Sequence, residues 1–410
     1  MREEYAARFI EGSLGLPSGS LSHDDVPSDL CDELTSVLRG TPPGDTTSPS
    51  IEASILSFLR VLELESIEKS GYFVRKARWP GAAPFAVCLT HDVDNLERPK
   101  EHIEKVRERF GKADYARWKR GEISLYDNAA LIAEREAALG FRSSFYYLSS
   151  EYPLEDARPV ARRLVSRGWD VGLHGDFGTH ESEEVMARAV ARFTKGMGFK
   201  PKGIREHYLR FDFSKTWGIM EKAGFDYDTT VGNADALGFR LGLATPFHPP
   251  DDEWKAMRLL ELPLSLMDTT LWGYLKKSET EGHSDVKRFM REVAAVEGLF
   301  TLLWHPESVR MRGGRLYWKV LRDLARTRGA FVASGAGIAK WWRSREVPLK
   351  VSGEVASLGA GAPAGLVLVL KAAEGRRLKV TGGSATRGRG REYLVRPRGR
   401  SLKVKVLRGV

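Results

Sequence analysis

Thr90, His91, Asp92, Val93 and Asp94 form the densest run of chemically competent side chains in this chain. They follow an apolar run over 84–89 that reads as a buried strand, so three ionisable groups arrive where that strand should end. Side chains at i and i+2 of a strand project to one face, which aims Asp92 and Asp94 into a single pocket. Two carboxylates so close repel each other unless a cation, a proton or hydrogen-bond donors offset the charge. The same residues also suit a polar turn in which both aspartates cap backbone amides.

The elements that must position this pocket repeat along the chain. Between about 85 and 342 an amphipathic helix, a glycine and a short apolar run recur, the glycines being Gly140, Gly168, Gly224, Gly298 and Gly329. Each stands where a helix needs a left-handed C-terminal residue. The apolar runs predict strands over 85–90, 142–148, 169–174, 202–205, 225–231, 257–264, 299–305 and 330–334. Strands alternating with helices at this count imply an α/β fold, a distorted (β/α) barrel of about seven or eight strands. An open doubly wound sheet is the runner-up. In such barrels the reacting groups lie at the carboxyl ends of strands. There the sequence places His91, Asp92 and Asp94, then His174, Asp176 and His180, then Arg205, His207 and Tyr208, then Asp228 and Asp235, and finally His305. Five of the nine histidines fall at these ends, where a random scatter would put more on helix surfaces.

Outside the barrel the texture differs. Residues 1–78 read as a helical and loop extension, and 79–345 as the barrel. Residues 346–410 are short alternating strands with Gly-rich turns, a small β-domain. The barrel's strands are complete by Ser334, so this tail is expected to be dispensable for catalysis. The net charge of +10 belongs to the tail, which holds fourteen Lys/Arg against four Glu. Its Arg387, Arg389, Arg391, Arg396, Arg398 and Arg400 read as a solvated basic surface more than a polymer contact. No aromatics interleave with them, so nucleic acid is not an expected partner. Two cysteines, Cys31 and Cys88, make neither a disulfide framework nor a Cys-rich zinc site. With no apolar run of membrane-spanning length and no apolar signal core, the expected setting is cytoplasmic, away from the membrane.

Taken with their spacing, these residues resemble the polysaccharide deacetylase family of metal-dependent carbohydrate esterases, and most closely a branch whose first motif reads His-Asp-Val-Asp. The resemblance covers about 79–342. Thr90-His91-Asp92-Val93-Asp94 stands where the family has Thr-x-Asp-Asp, and 142–148 is similar to its second strand. The run from Gly172 to His180 is similar to the histidine motif, Ile204-Arg205-Glu206-His207-Tyr208 to Phe-Arg-x-x-Tyr, and Leu302-Leu303-Trp304-His305 to the last motif.

The resemblance implies Asp92 as general base and His174 as a metal ligand. It implies Arg205 as the group that orients Asp92, Tyr208 as an oxyanion donor through its backbone N–H, and His305 as general acid. Val93 replaces the family's metal-binding aspartate, which leaves Asp94 as the substitute ligand. The second histidine ligand is displaced too: His180 lies six residues after His174, and Asp176 is the rival. His207, Trp304 and Phe239 are candidate substrate contacts, and Asp228 either pairs with Arg205 or caps a turn.

One Asp and two His form a mixed O/N set suited to zinc, and also to cobalt, nickel or iron. A divalent ion with an open position lowers the pKa of a water it holds from about 16 to about 7. A carboxylate held off the ion takes the proton, and a histidine protonates the departing amine. The expected activity is therefore removal of an N-acetyl group from an acetylated carbohydrate. The alternatives are hydrolysis of another non-peptide C–N bond or an ester, or a glycan-binding barrel without turnover.

Overall fold

The computed structural model describes residues 1–388, 390–399 and 401–408. Three helices, Arg2–Leu14, Ser28–Val37 and Ser50–Ser70, precede the first strand, β1 (Tyr72–Lys76). Nine parallel strands follow, most of them separated by helices. They are β2 (Ala86–Val93), β3 (Ser144–Leu148), β4 (Asp170–Gly175), β5 (Gly203–Glu206), β6 (Tyr227–Asp228), β7 (Leu260–Glu261), β8 (Leu266–Met267), β9 (Leu299–Leu303) and β10 (Phe331–Ala333). Their order, β7-β6-β5-β4-β3-β2-β9-β8, is that of a barrel left open between β7 and β8. β10 pairs with Ala86 to Cys88 and β3 with Thr90 to Val93, so the two share one edge of β2. The apolar run over 257–264 contributes β7, and β8 is an additional strand of two residues.

Strand β2 is buried along its whole length, and its side chains alternate between two environments. Ala86 and Cys88 join an inner cluster with Tyr146 and Tyr227, whereas Val87, Leu89 and Val93 join the layer under the helices. His91 belongs to the outer set. Its Nδ1 donates to the Trp304 carbonyl at 2.6 Å, and its Nε2 lies 3.0 Å from Glu136 Oε1 on the helix Ala129–Ala137. Glu136 also accepts from Ser143 Oγ at 2.6 Å, Trp169 Nε1 at 3.1 Å and the Tyr317 hydroxyl at 2.6 Å. His91 therefore fastens strand to helix and has no access to the pocket. Helix ends follow the expected chemistry at Gly224, whose φ of 82° closes the helix Thr216–Ala223. At Gly298 they do not: the left-handed residue is Glu297, at φ 50°.

The tail folds as β11 (Leu349–Ser352), β12 (Val355–Leu358), β13 (Leu368–Ala372), β14 (Arg376–Thr381), β15 (Gly383–Arg387), β16 (Glu392–Pro397) and β17 (Leu402–Arg408). One sheet is β11-β12-β17-β14, and the other is β1-β13-β16-β15. Thus β1, from the stretch read as helical extension, completes the tail's second sheet by pairing antiparallel with β13 from Tyr72↔Ala372 to Lys76↔Leu368. The tail is not separate from the barrel either. One apolar cluster runs from Leu349, Leu368 and Val404 through Trp79, Trp341 and Trp342 to Ala86, Cys88 and Leu299. Arg391 pairs with Glu374, and Arg396 donates to Thr386 Oγ1. Arg389 and Arg400 lie outside the described residues.

Candidate active site

At the carboxyl end of β2 the inward alternation continues through Thr90 and Asp92, and Asp94 follows just past the strand. Arg205, on β5, crosses the barrel interior to meet them and is completely buried. Its Nη1 donates to Thr90 Oγ1 at 2.8 Å and to Asp92 Oδ1 at 3.1 Å. Its Nε and Nη2 donate to the carbonyl and hydroxyl of Thr229, both at 3.0 Å. A guanidinium held at four points fixes Asp92 in place and offsets its charge. Asp228 takes no part in this. Its Oδ1 accepts the Thr230 N–H at 3.0 Å, so it caps the turn after β6.

Parallel pairing of β4 with β5 sets His174 opposite Arg205. His174 Nδ1 lies 2.9 Å from the Arg205 carbonyl, which can only accept, so Nδ1 carries the proton and Nε2 faces the pocket. Nε2 is 3.3 Å from Asp94 Oδ1 and 3.8 Å from Asp92 Oδ2. His207, two residues beyond Arg205, brings its Nε2 to 3.9 Å from Asp94 Oδ1. The ligand atoms of Asp94, His174 and His207 all lie within 4.8 Å of one another. Burial favours neutral His174, but Asp92 and Asp94 outweigh it and raise its pKa. Burial and the neighbouring His174 push His207 down to about 4. For Asp94, burial acts upward and is outweighed by His174, His305 and His207, which hold the carboxyl well below its usual range.

These residues fit a divalent cation. Asp94 Oδ1 is buried and, apart from the 3.3 Å approach of His174 Nε2, has no hydrogen-bond partner. A buried acceptor without a donor is costly unless something charged completes it. The donor set is one carboxylate and two imidazoles, a combination zinc and its neighbours accept.

On the opposite side of the pocket His305 follows β9. Its Nδ1 is 2.7 Å from Asp268 Oδ1, its backbone N–H donates to Asp268 Oδ2 at 2.9 Å, and its Nε2 is 3.8 Å from Asp94 Oδ2. Burial favours neutral His305, but Asp268 outweighs it and raises the pKa well above the ordinary value. Asp268 was not singled out from the sequence. Its signal was an aspartate just after the largely apolar stretch 259–267, missed because the predicted strand stops at Leu264 and β8 is only two residues long. Glu307 was also missed: it is buried beside His305, burial pushes its carboxyl up to about 8, and its Oε2 has no partner. The wall here is built by residues inserted between β2 and β3. Their small core of Ile103, Phe110, Leu125 and Tyr126 docks on Pro306–Arg310, with the Gly111 N–H donating to the Arg310 carbonyl at 2.9 Å.

Several expected site residues lie elsewhere. His180 does not join Asp94 and His174, and the place expected for it is taken by His207. Its carbonyl accepts from Thr216 Oγ1 at 2.7 Å, which ties it to the next helix, and its Nε2 comes no nearer a carboxylate than Glu181, at 3.9 Å. The rival Asp176 accepts from Ser149 Oγ at 2.6 Å and pairs with Arg192, so it is a loop anchor. Trp304 points outward with Phe300 and Leu302, fully buried against Trp272 and Tyr317, and offers no face to a sugar. Phe239 is likewise core, its ring 5.4 Å from that of Phe289. Tyr208 follows His207 at φ 60° and ψ 18°, with its side chain exposed. A left-handed backbone at such a residue costs on the order of 1–3 kcal/mol, and such strain clusters at functional sites.

No family model matches this chain, and no curated protein matches it. Solved structures do. A Mycobacterium smegmatis protein provisionally described as a polysaccharide deacetylase is 17% identical, with 67% of this chain and 96% of that one covered at a TM-score of 0.48. The allantoinase PuuE is 16% identical, with 66% and 94% covered at 0.48. A family 4 carbohydrate esterase from Streptomyces lividans, solved with acetate, is 13% identical, with 61% and 93% covered at 0.35. Likeness at these levels leaves the chemistry to be argued from the residues themselves. In fold, the chain is similar to proteins described as polysaccharide deacetylases and carbohydrate esterases.

Proposed function

We propose that this protein is a metal-dependent hydrolase of the polysaccharide deacetylase type, which removes the acetyl group from an N-acetylated sugar or glycan. The observation that carries the reading is the opposition of two assemblies across one pocket. Asp94, His174 and His207 are grouped on one side, and the His305–Asp268 pair stands on the other, 3.8 Å from Asp94.

Asp94, His174 and His207 would hold the ion, with zinc the first choice and cobalt, nickel or iron compatible. When bound, it supplies Lewis acidity that makes water a competent nucleophile near neutral pH. Asp92, held by Arg205 and 3.8 Å from His174 Nε2, accepts the proton from the attacking water. The backbone N–H of Tyr208 is assigned to the developing oxyanion, where one such donor typically contributes ~10²–10³ in rate. His305, kept protonated by Asp268, donates to the departing amine nitrogen, without which the C–N bond cannot break to a neutral product.

The test is metal analysis of the purified protein, followed by acetate release from a panel of N-acetylated sugars. Stoichiometric divalent metal with acetate release supports the reading. Metal-free protein that stays inert after reloading removes it.

A further inference from the structure

Three large aromatic side chains stay exposed among the described residues, and two of them, Phe177 and Tyr208, meet at the rim of the candidate site. Each is 62% exposed, and their ring centroids are 6.0 Å apart. Tyr208 stacks on His207 at 4.0 Å with 19° between the planes, so this surface begins one ring away from the candidate ligands. Phe177 meets the same imidazole edge-on at 6.3 Å.

Neither ring is on a loose loop. Phe177 follows the anchored Asp176, whose carbonyl accepts the Thr179 hydroxyl at 2.7 Å and closes the turn. Tyr208 owes its outward aim to the left-handed backbone it shares with Leu209, at φ 53°. The third member is Arg210, whose guanidinium carbon lies 3.9 Å from the Phe177 centroid and 5.9 Å from that of Tyr208. Among the described residues Arg210 enters no ion pair, although Lys215 nearby does. A stacked guanidinium is planar, oriented and partly dehydrated, and its free edge suits a carboxylate or phosphate.

An aromatic face beside a hydrolytic centre fits the C–H face of a pyranose ring, and an unpaired guanidinium at its edge fits an acidic substituent on that ring. We infer that Phe177, Tyr208 and Arg210 form a subsite for a sugar unit bearing an anionic group, adjacent to the unit that reacts. The inference rests on the deacetylase reading and deepens it: the substrate is an acidic oligosaccharide or polymer, not a free amino sugar.

Calorimetric binding of two probes tests this. One is a tetrasaccharide of alternating N-acetylglucosamine and glucuronic acid, and the other a neutral tetrasaccharide of N-acetylglucosamine. The wild-type protein should bind the acidic probe about tenfold more tightly. Arg210→Gln should bring the acidic probe down to the neutral one. Phe177→Ala should weaken both by about five- to tenfold, and Phe177→Tyr should restore them. Circular dichroism confirms that each variant is folded. Equal affinities for the two probes, variants that bind like wild type, or a uridine nucleotide bound in preference to both would overturn the subsite. Acetate release is scored separately. Preferential binding without acetate release keeps the subsite and removes the deacetylase reading, whereas acetate release with unaffected variants keeps that reading and removes the subsite.

Discussion

Asp268 grips His305 at two points, one oxygen 2.7 Å from the ring Nδ1 and the other 2.9 Å from the backbone nitrogen of the same residue. Ring orientation and charge are thereby set together, because the carboxylate fixes the tautomer and stabilises the imidazolium. The pair crosses from β8 to β9, so it exists only when these two short neighbours are in register.

Replacing Asp268 with Asn should expose this coupling in a pH–rate profile. His305 acts protonated, and Asp268 raises its pKa, so the rate should hold above the ordinary histidine range and fall as pH rises through the raised value. Removing the charge lowers that pKa, so the basic limb moves to lower pH. The maximal rate should fall by up to ~10²–10⁴, the usual worth of a general acid. A basic limb that stays in place assigns it to another group.

His207→Ala and Asp94→Asn should each lower the affinity for zinc by more than about 10²-fold, since even partners outside the ligand shell contribute 10–100-fold. His180→Ala and Asp176→Ala should retain it. Metal titration of the four variants checks the assignment. Loss in His180→Ala with retention in His207→Ala would reverse it.

Asp92→Asn should keep its metal and lose turnover, because Asp92 is assigned as base and not as ligand. The substitution also leaves the Arg205 guanidinium, fully buried, without its carboxylate. Breaking a buried pair from one side costs about 3–5 kcal/mol, so a lower Tm should accompany the loss of rate. Loss of metal from this variant, with retention by Asp94→Asn, would exchange the two roles.

Glu136→Leu should destabilise the fold by about 3–5 kcal/mol without touching the site directly, since it orphans the Ser143, Trp169 and Tyr317 donors at once and takes away the carboxylate beside His91 Nε2. The pH dependence has a definite sign. Burial acts to raise the Glu136 pKa, but His91 and the hydroxyl donors outweigh it and depress it below 4.5. Its stabilisation is therefore complete above the unfolded value and is lost as pH falls through the folded one. Urea denaturation of wild type and variant across that acid range measures both effects.

Truncation after residue 345 should give an insoluble or unfolded product. It would strip β1 of β13, its only strand partner among the described residues, and expose Trp79, Trp342 and the barrel floor. A soluble, folded barrel with intact acetate release would show that this apolar seam is dispensable.

Much of this site follows from local geometry. Asp92 and Asp94 share a pocket because side chains two apart on a strand share a face, a property of the extended backbone wherever it is buried. Strand-end placement likewise foretold the region of His174, Arg205 and His305. The same alternation excludes Trp304 from a pocket that His305 enters, so its burial was legible too, although an aromatic at a strand end invited the other reading.

His207 was a different matter. Its choice over His180 depends on how β4 and β5 pair, which sets Arg205 across from His174 and brings the ring of His207, two residues on, to 4.9 Å from that of His174, and on a turn tied back through Thr216 that carries His180 away. Asp268 depends on β8, two residues long and held by hydrogen bonds to β9, with too little sequence for a periodicity. The role of β1 depends on a partner almost 300 residues later in the chain. Periodicity reports which face of its own element a residue takes. Which faces meet is decided by long-range pairing and packing, whose energy is spread over residues too distant in sequence to leave a local pattern.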